Sequence, residues 1–186
     1  MIAMDEKYRH LEFLKWLSIA LCLKLVLLNI VPFAFYIQQF LFYSALFKSL
    51  SYFKGKTLAK NLIFFDIGLL FVNLLPINIV LSTWQLVITV IVELFIILEF
   101  GKIVAEIERQ YKALQTTSRI LTMYQWLVLG VAAGWTFIMN VDYFSMIIFV
   151  SIGAILLFIA NVRLLFHLQR IRKSIKFTMK SRIPLK

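Results

Sequence analysis

Six apolar stretches, each about long enough to cross a lipid bilayer, fill most of this chain and restrict what it can fold into. A membrane-spanning helix needs about 20 largely apolar residues. Leu11–Val31, Phe33–Phe53, Asn61–Asn78, Thr83–Ile107, Ile120–Met139 and Tyr143–Leu168 meet or approach that length. The second is the weakest, because Lys48 and Lys54 cut into its apolar run, and a half-span or re-entrant segment is the alternative there. Composition argues against a water-soluble fold: of 186 residues, 62% are hydrophobic and 16% charged. A soluble domain carries about 45–50% and about 25% respectively, and one this small cannot hide the excess in a single core. The expected fold is therefore all-α and polytopic, with six transmembrane helices arranged as three hairpins.

The charges give an independent test of that count. The connections around Pro32, from Ile79 to Ser82 and from Asn140 to Asp142 contain no Lys or Arg. The opposite side collects Lys7, Arg9 and Lys15, then Lys48, Lys54, Lys56 and Lys60, then Lys102, Arg109, Lys112 and Arg119. Arg163, Arg170, Arg172, Lys173, Lys176, Lys180, Arg182 and Lys186 complete the set, so that of the 20 basic residues only Lys24 falls elsewhere. Basic residues favour the cytoplasmic side, which places both termini there. Removing one span would move later clusters to the wrong face. A net charge of +11 can also mark a nucleic-acid partner, but here the cations lie between apolar runs, so no nucleic acid is expected. The first helix reads as retained and not as a cleaved leader, since Lys24 interrupts it and no small-residue cleavage site follows. The lone cysteine, Cys22, offers no disulfide and reads as a small buried apolar residue.

An Asn-x-x-Pro turn occurs at Asn29–Pro32 and again 44 residues later at Asn73–Pro76, a spacing compatible with repeated hairpins. Asn and Pro also favour turns on their own account. Between the fourth and fifth spans, Glu108 and Lys112 stand four apart, as a helical ion pair requires. This stretch reads as a solvated connector that extends the fourth helix. The chain divides into a bundle over 1–168 and a basic tail over 169–186. In that tail Leu168, Ile171 and Ile175 recur at helical spacing among cations, which suits a helix lying on anionic lipid head groups at the membrane surface.

Charged side chains at bilayer depth are costly and therefore mark candidate sites. Lys24 lies eight residues before Pro32, Asp66 ten before Pro76, and Glu93 ten after Thr83. At about 1.5 Å per residue they reach a common layer roughly 12–15 Å deep. Asn73 shares a face with Asp66, Thr89 with Glu93, and Gln39 lies on a polar stripe with Tyr36 and Tyr43. Such stripes should face the bundle interior, since lipid offers them no partner. The layer admits two readings. Lys24 can neutralise a carboxylate and hold helices in register, or a surplus carboxyl can carry a proton or bind a cation or polar solute. Gly130 and Gly134 form a GxxxG on the fifth span and point to a helix-packing face.

The chain lacks HExxH, P-loop, GxSxG and GxGxxG motifs, and its two histidines, His10 and His167, sit near the cytoplasmic face. No metal, cofactor or catalytic residue is expected. In length and span number alone the chain resembles the substrate-binding subunits of energy-coupling-factor vitamin transporters, and no shared motif supports the likeness. The leading expectation is an accessory, regulatory or immunity-type subunit of a bacterial inner (plasma) membrane. It would act through helix contacts with a larger membrane protein, or as a homo-oligomer. The alternative is a small-solute or proton- or ion-coupled transporter using Lys24, Asp66 and Glu93.

Overall fold

A computed structural model describes residues 2–25, 32–53, 55–72, 79–111, 116–138 and 143–180. Among these residues the fold is all-α, with six helices and no strand: α1 (Ile2–Leu25), α2 (Pro32–Leu50), α3 (Thr57–Val72), α4 (Ile79–Gln110), α5 (Thr117–Ile138) and α6 (Tyr143–Lys180). Each of the six apolar stretches falls largely on a helix of its own. One helical segment, Ser151–Phe177 of α6, is long and apolar enough to cross a membrane among the described residues, with mean hydropathy 1.9. Only 28% of its apolar window is buried, unlike the core helix of a soluble protein.

Helix bounds differ from the sequence expectation in instructive ways. The second stretch forms one unbroken helix of 19 residues, about 28 Å long. Pro32 opens it, where a missing N–H and a fixed φ suit the first turn. At its far end Ser49 and Ser51 donate their hydroxyls to the carbonyls of Leu46 and Lys48, each at 2.7 Å, and the second of these satisfies a group that a helix end leaves open. Gly55 then turns the chain at φ +79°, where a side chain would be strained. Residues 79–82, expected as a connection, are the first turn of α4. That helix runs on to Gln110, past the expected span end at Ile107. The expected turns at Asn73–Pro76 and Asn140–Asp142 lie outside the described residues.

The chain forms two compact units. The first comprises Met1–Lys56, Ile103–Ser118 and Asn161–Lys186; the second comprises Thr57–Lys102 and Arg119–Ala160. In the first, α1 buries Phe13, Leu14, Leu17 and Leu21, and α2 buries Phe42, Ala45 and Leu46. Both sets repeat at the three-to-four spacing that aligns side chains on one helical face. Gln38 donates to the carbonyl of Leu23, tying α2 to α1.

Leu164, Leu168, Ile171 and Ile175 of α6 are also buried in this unit. That corrects the expectation of an amphipathic tail resting its apolar stripe on lipid. The stripe is real, but protein covers it, because α6 passes residue 168 without interruption and carries the stripe into a core. The expected division between 1–168 and 169–186 therefore falls inside one helix. Cys22, expected to be buried, is exposed. It flanks the apolar face of α1 instead of belonging to it.

In the second unit Ile63 and Asp66 of α3, Val92, Leu94 and Ile96 of α4, and Ile120 and Tyr124 of α5 are buried. The close approach here is at Gly101. A β-carbon on that residue would overlap the side chain of Leu121 on α5, so a larger residue there would force Leu121 aside.

Candidate functional site

The expected polar layer is distributed over both units. Lys24 and Gln39 belong to the first, and Asp66, Thr89 and Glu93 to the second; Asn73 lies outside the described residues. Gln39 and Asp66 are buried, whereas Lys24, Thr89 and Glu93 are partly so. Asp66 is only 1% exposed. The Lys24 ammonium sits 5.3 Å from the centroid of the Phe42 ring, a cation–π contact that offsets part of the cost of drawing the charge away from water. Of the two glycines expected to pack helices, Gly134 is buried but Gly130 faces open space. Gly101, which belongs to no paired motif, is a glycine whose added β-carbon would meet the side chain of Leu121.

A second polar cluster surrounds the connector between α4 and α5, and here the structure departs most from expectation. Glu108, read as half of a solvated pair with Lys112, is buried; Lys112 lies outside the described residues. The Glu108 carboxylate accepts the backbone N–H groups of Thr116 at 3.0 Å and Thr117 at 3.1 Å. It thereby caps the start of α5, where unpaired N–H groups and the helix dipole both favour an anion. The same carboxylate lies 3.3 Å from His167 Nε2 on α6. Thr117 Oγ1 stands 2.8 Å from that same nitrogen.

Carboxylate, imidazole and hydroxyl are the components of a nucleophilic triad, but the geometry is different. A triad sets the hydroxyl and the carboxylate on opposite ring nitrogens. Here both meet Nε2, and Thr117 is fully buried. The cluster has no relay and no open nucleophile; it holds α4, α5 and α6 at one point.

A second anchor joins the connector to α1. The ring of His10 stacks on Phe53, with centroids 5.6 Å apart and planes at 10°. Its Nδ1 lies 3.1 Å from Tyr111 Oη. Burial lowers the pKa of His10 below the ordinary imidazole value, with Glu6 opposing, and burial raises that of Tyr111. Both shifts favour a neutral imidazole accepting the phenol proton. Phe53 also meets Phe13 edge-on at 4.8 Å, and Lys56 reaches Glu106 at 3.5 Å. Tyr111, Glu106 and Glu108 thus link the connector to α1, to the turn after α2 and to α6.

Sequence reading missed this hub because its contacts join residues 50 and 101 positions apart. One local signal was available: the run Thr116-Thr117-Ser118 is made of residues that favour helix N-termini. No known protein family matches the chain, and no curated protein or solved structure is similar to it. The likeness in length and span number to vitamin-transporter subunits therefore gains no support.

Proposed function

We propose that this chain is a polytopic membrane protein, crossing the bilayer six times with both termini cytoplasmic. In this reading it is a non-catalytic subunit of a bacterial inner membrane, of accessory, regulatory or immunity type, acting through helix contacts with a larger membrane partner. The observation that carries the membrane assignment is an inverted pattern of solvation. Large apolar side chains point outward from helix after helix, among them Phe40 (71% exposed), Phe71 (65%) and Trp126 (69%). Ile152, Ile155, Phe158 and Ile159 line the outside of α6 in the same way. Meanwhile Gln38, Gln39, Asp66 and Asn161 are turned inward. Water would penalise that arrangement, whereas a bilayer favours it. The subunit role rests on small size, short connections and the lack of any nucleophilic or metal-binding constellation in the sequence.

Two steps test the proposal. Resistance to alkaline carbonate extraction, with labelling of single cysteines placed at Ser82 and Asn140 only from outside the cell, is the expected topology result. Release by carbonate would refute the membrane assignment. Gentle purification from native membranes should then recover a stoichiometric larger membrane protein. A clean monomer or homodimer would refute the subunit role.

That second outcome would favour transport, and one observation specifically supports this alternative. Asp66, a carboxyl residue, is almost fully buried in the same unit as Glu93. Asp66→Asn and Glu93→Gln should then abolish proton or solute flux while leaving yield and monodispersity unchanged. Loss of yield together with activity would return the pair to a structural role.

A further inference from the structure

We propose that the cytoplasmic foot of α6 is a docking face for an acidic amphipathic helix of the larger membrane partner, with Phe166, Arg170, Lys173 and Phe177 as its seam. This inference rests on the subunit role proposed above and names the chemistry of that contact.

The face is defined by the stripe opposite it. Leu164, Leu168, Ile171 and Ile175 turn inward and are buried in the first unit. Phe166, Arg170, Lys173 and Phe177 follow one another by steps of four, three and four and fall on the other side of the same helix. All four are exposed, Phe166 by 60% and Phe177 by 76%. Arg170 and Lys173 form no ion pair among the described residues.

Lipid reaches only part of this face. Five Lys and Arg between Gln169 and Lys180 keep that stretch out of the hydrocarbon. In the six-span topology α6 starts at the outer surface, and Phe177 stands about 51 Å along the helix from Tyr143. A bilayer with its head groups is about 40–45 Å thick. The last turns of α6 therefore stand in the cytoplasm. Burial of Ile171 and Ile175 holds them against protein instead of leaving them flat on the membrane.

Spacing and charge select the occupant. Alternating steps of three and four form the seam along which two helices pack. Cations within that seam match Asp or Glu on the facing helix. The phenylalanines at its two ends are residues of the kind that protein interfaces concentrate, and they match apolar side chains. A second copy of this chain is a poor fit, because it would bring the same cations and a net charge of +11.

The test places a photoreactive phenylalanine analogue at position 177 of the full chain in native membranes and identifies the crosslinked peptide by mass spectrometry. The expected adduct is a segment of a larger membrane protein with Asp or Glu at helical spacing. Arg170→Glu combined with Lys173→Glu should cut its yield about tenfold or more. Lys176→Glu, off the seam, should leave it nearly intact, and equal losses would overturn the inference by showing unspecific attraction. The substituted side chains are exposed; an unchanged crosslink from the same analogue at Phe40, exposed on α2, reports that each variant has folded. Adducts with lipid, with nucleic acid or with a second copy of this chain would overturn the inference, as would no adduct. A larger protein recovered on purification without a crosslink at position 177 would overturn the docking face and leave the subunit role standing. An adduct with an acidic helix of a soluble protein would keep the face and refute the subunit role.

Discussion

Replacing Glu108 by alanine should destabilise the protein by about 3 kcal/mol, and the figure follows from the groups that lose a partner. The side chain is 3% exposed, so water cannot readily substitute for it. Two backbone N–H groups, of Thr116 and Thr117, lose an ionised acceptor at 3.0 and 3.1 Å. Hydrogen bonds to charged groups contribute about 1.5–3 kcal/mol each, and a buried donor left unsatisfied costs about 1–3 kcal/mol. The loss at His167 is smaller, because Thr117 Oγ1 still meets its Nε2. These effects overlap, so about 3 kcal/mol is the sum to expect and not a maximum. Glu108→Gln preserves the shape and one acceptor oxygen and should lose about half as much. The assay is thermal unfolding in nanodiscs, where about 3 kcal/mol corresponds to roughly 6–12 °C for a chain of this size. A double-mutant cycle with His167→Ala should show a coupling of about 1 kcal/mol or more. A loss below about 0.5 kcal/mol for Glu108→Ala would refute the capping role, and zero coupling would refute the link to α6.

Further predictions concern α1 and the glycines. Burial holds the folded His10 pKa below the ordinary value of 6.5, so the unfolded state binds more protons just below that pH. The stability contribution of a neutral His10 is therefore complete above pH 6.5 and declines as pH falls through the folded pKa; melting temperature should drop on acidification, less steeply in His10→Gln. Gly101→Ala should lower stability by about 1–3 kcal/mol by forcing Leu121 aside, while Gly130→Ala, which meets nothing within 4 Å, should leave it unchanged or raise it slightly. The double variant Gly101→Ala with Leu121→Ala should recover part of the loss, and equal effects at both glycines would refute the packing argument. Gly55→Ala should cost about 1 kcal/mol from its positive φ alone, since space around it is open; an unchanged melting temperature would show that the turn relaxes freely.

Features that depend on neighbours along the chain were legible in the sequence, and those that depend on distant partners were not. Apolar length located all six helices, because a long apolar run such as Ile79–Gln110, uninterrupted by proline, can satisfy its backbone groups within itself as a helix. The buried stripe of Leu168, Ile171 and Ile175 was visible by its period, but periodicity identifies an apolar face without identifying what covers it. Glu108 was assigned to solvent because its sequence neighbours are charged. Its actual partners include Thr117, nine residues on, and His167, brought in by the packing of α6. Of the polar residues singled out in the sequence, Gln39 and Asp66 are buried, and Lys24, Thr89 and Glu93 are partly so. Gly101 escaped notice because a single glycine is not a pattern.

The three-part make-up of the first unit has a consequence for biosynthesis. Its pieces end at residues 56, 118 and 186, so the α1–α2 hairpin leaves the ribosome long before His167 and Ile175 exist. At about 5–20 residues per second, the interval from residue 56 to residue 167 lasts about 5–20 s. Throughout that interval the Glu108 carboxylate, once made, lacks its His167 partner. A nascent chain held in this state exposes apolar surface that chaperones and proteases can recognise. Completion of this unit therefore waits on the segment from Asn161 onward, and a frameshift after Leu168 should leave it without the buried Ile171 and Ile175.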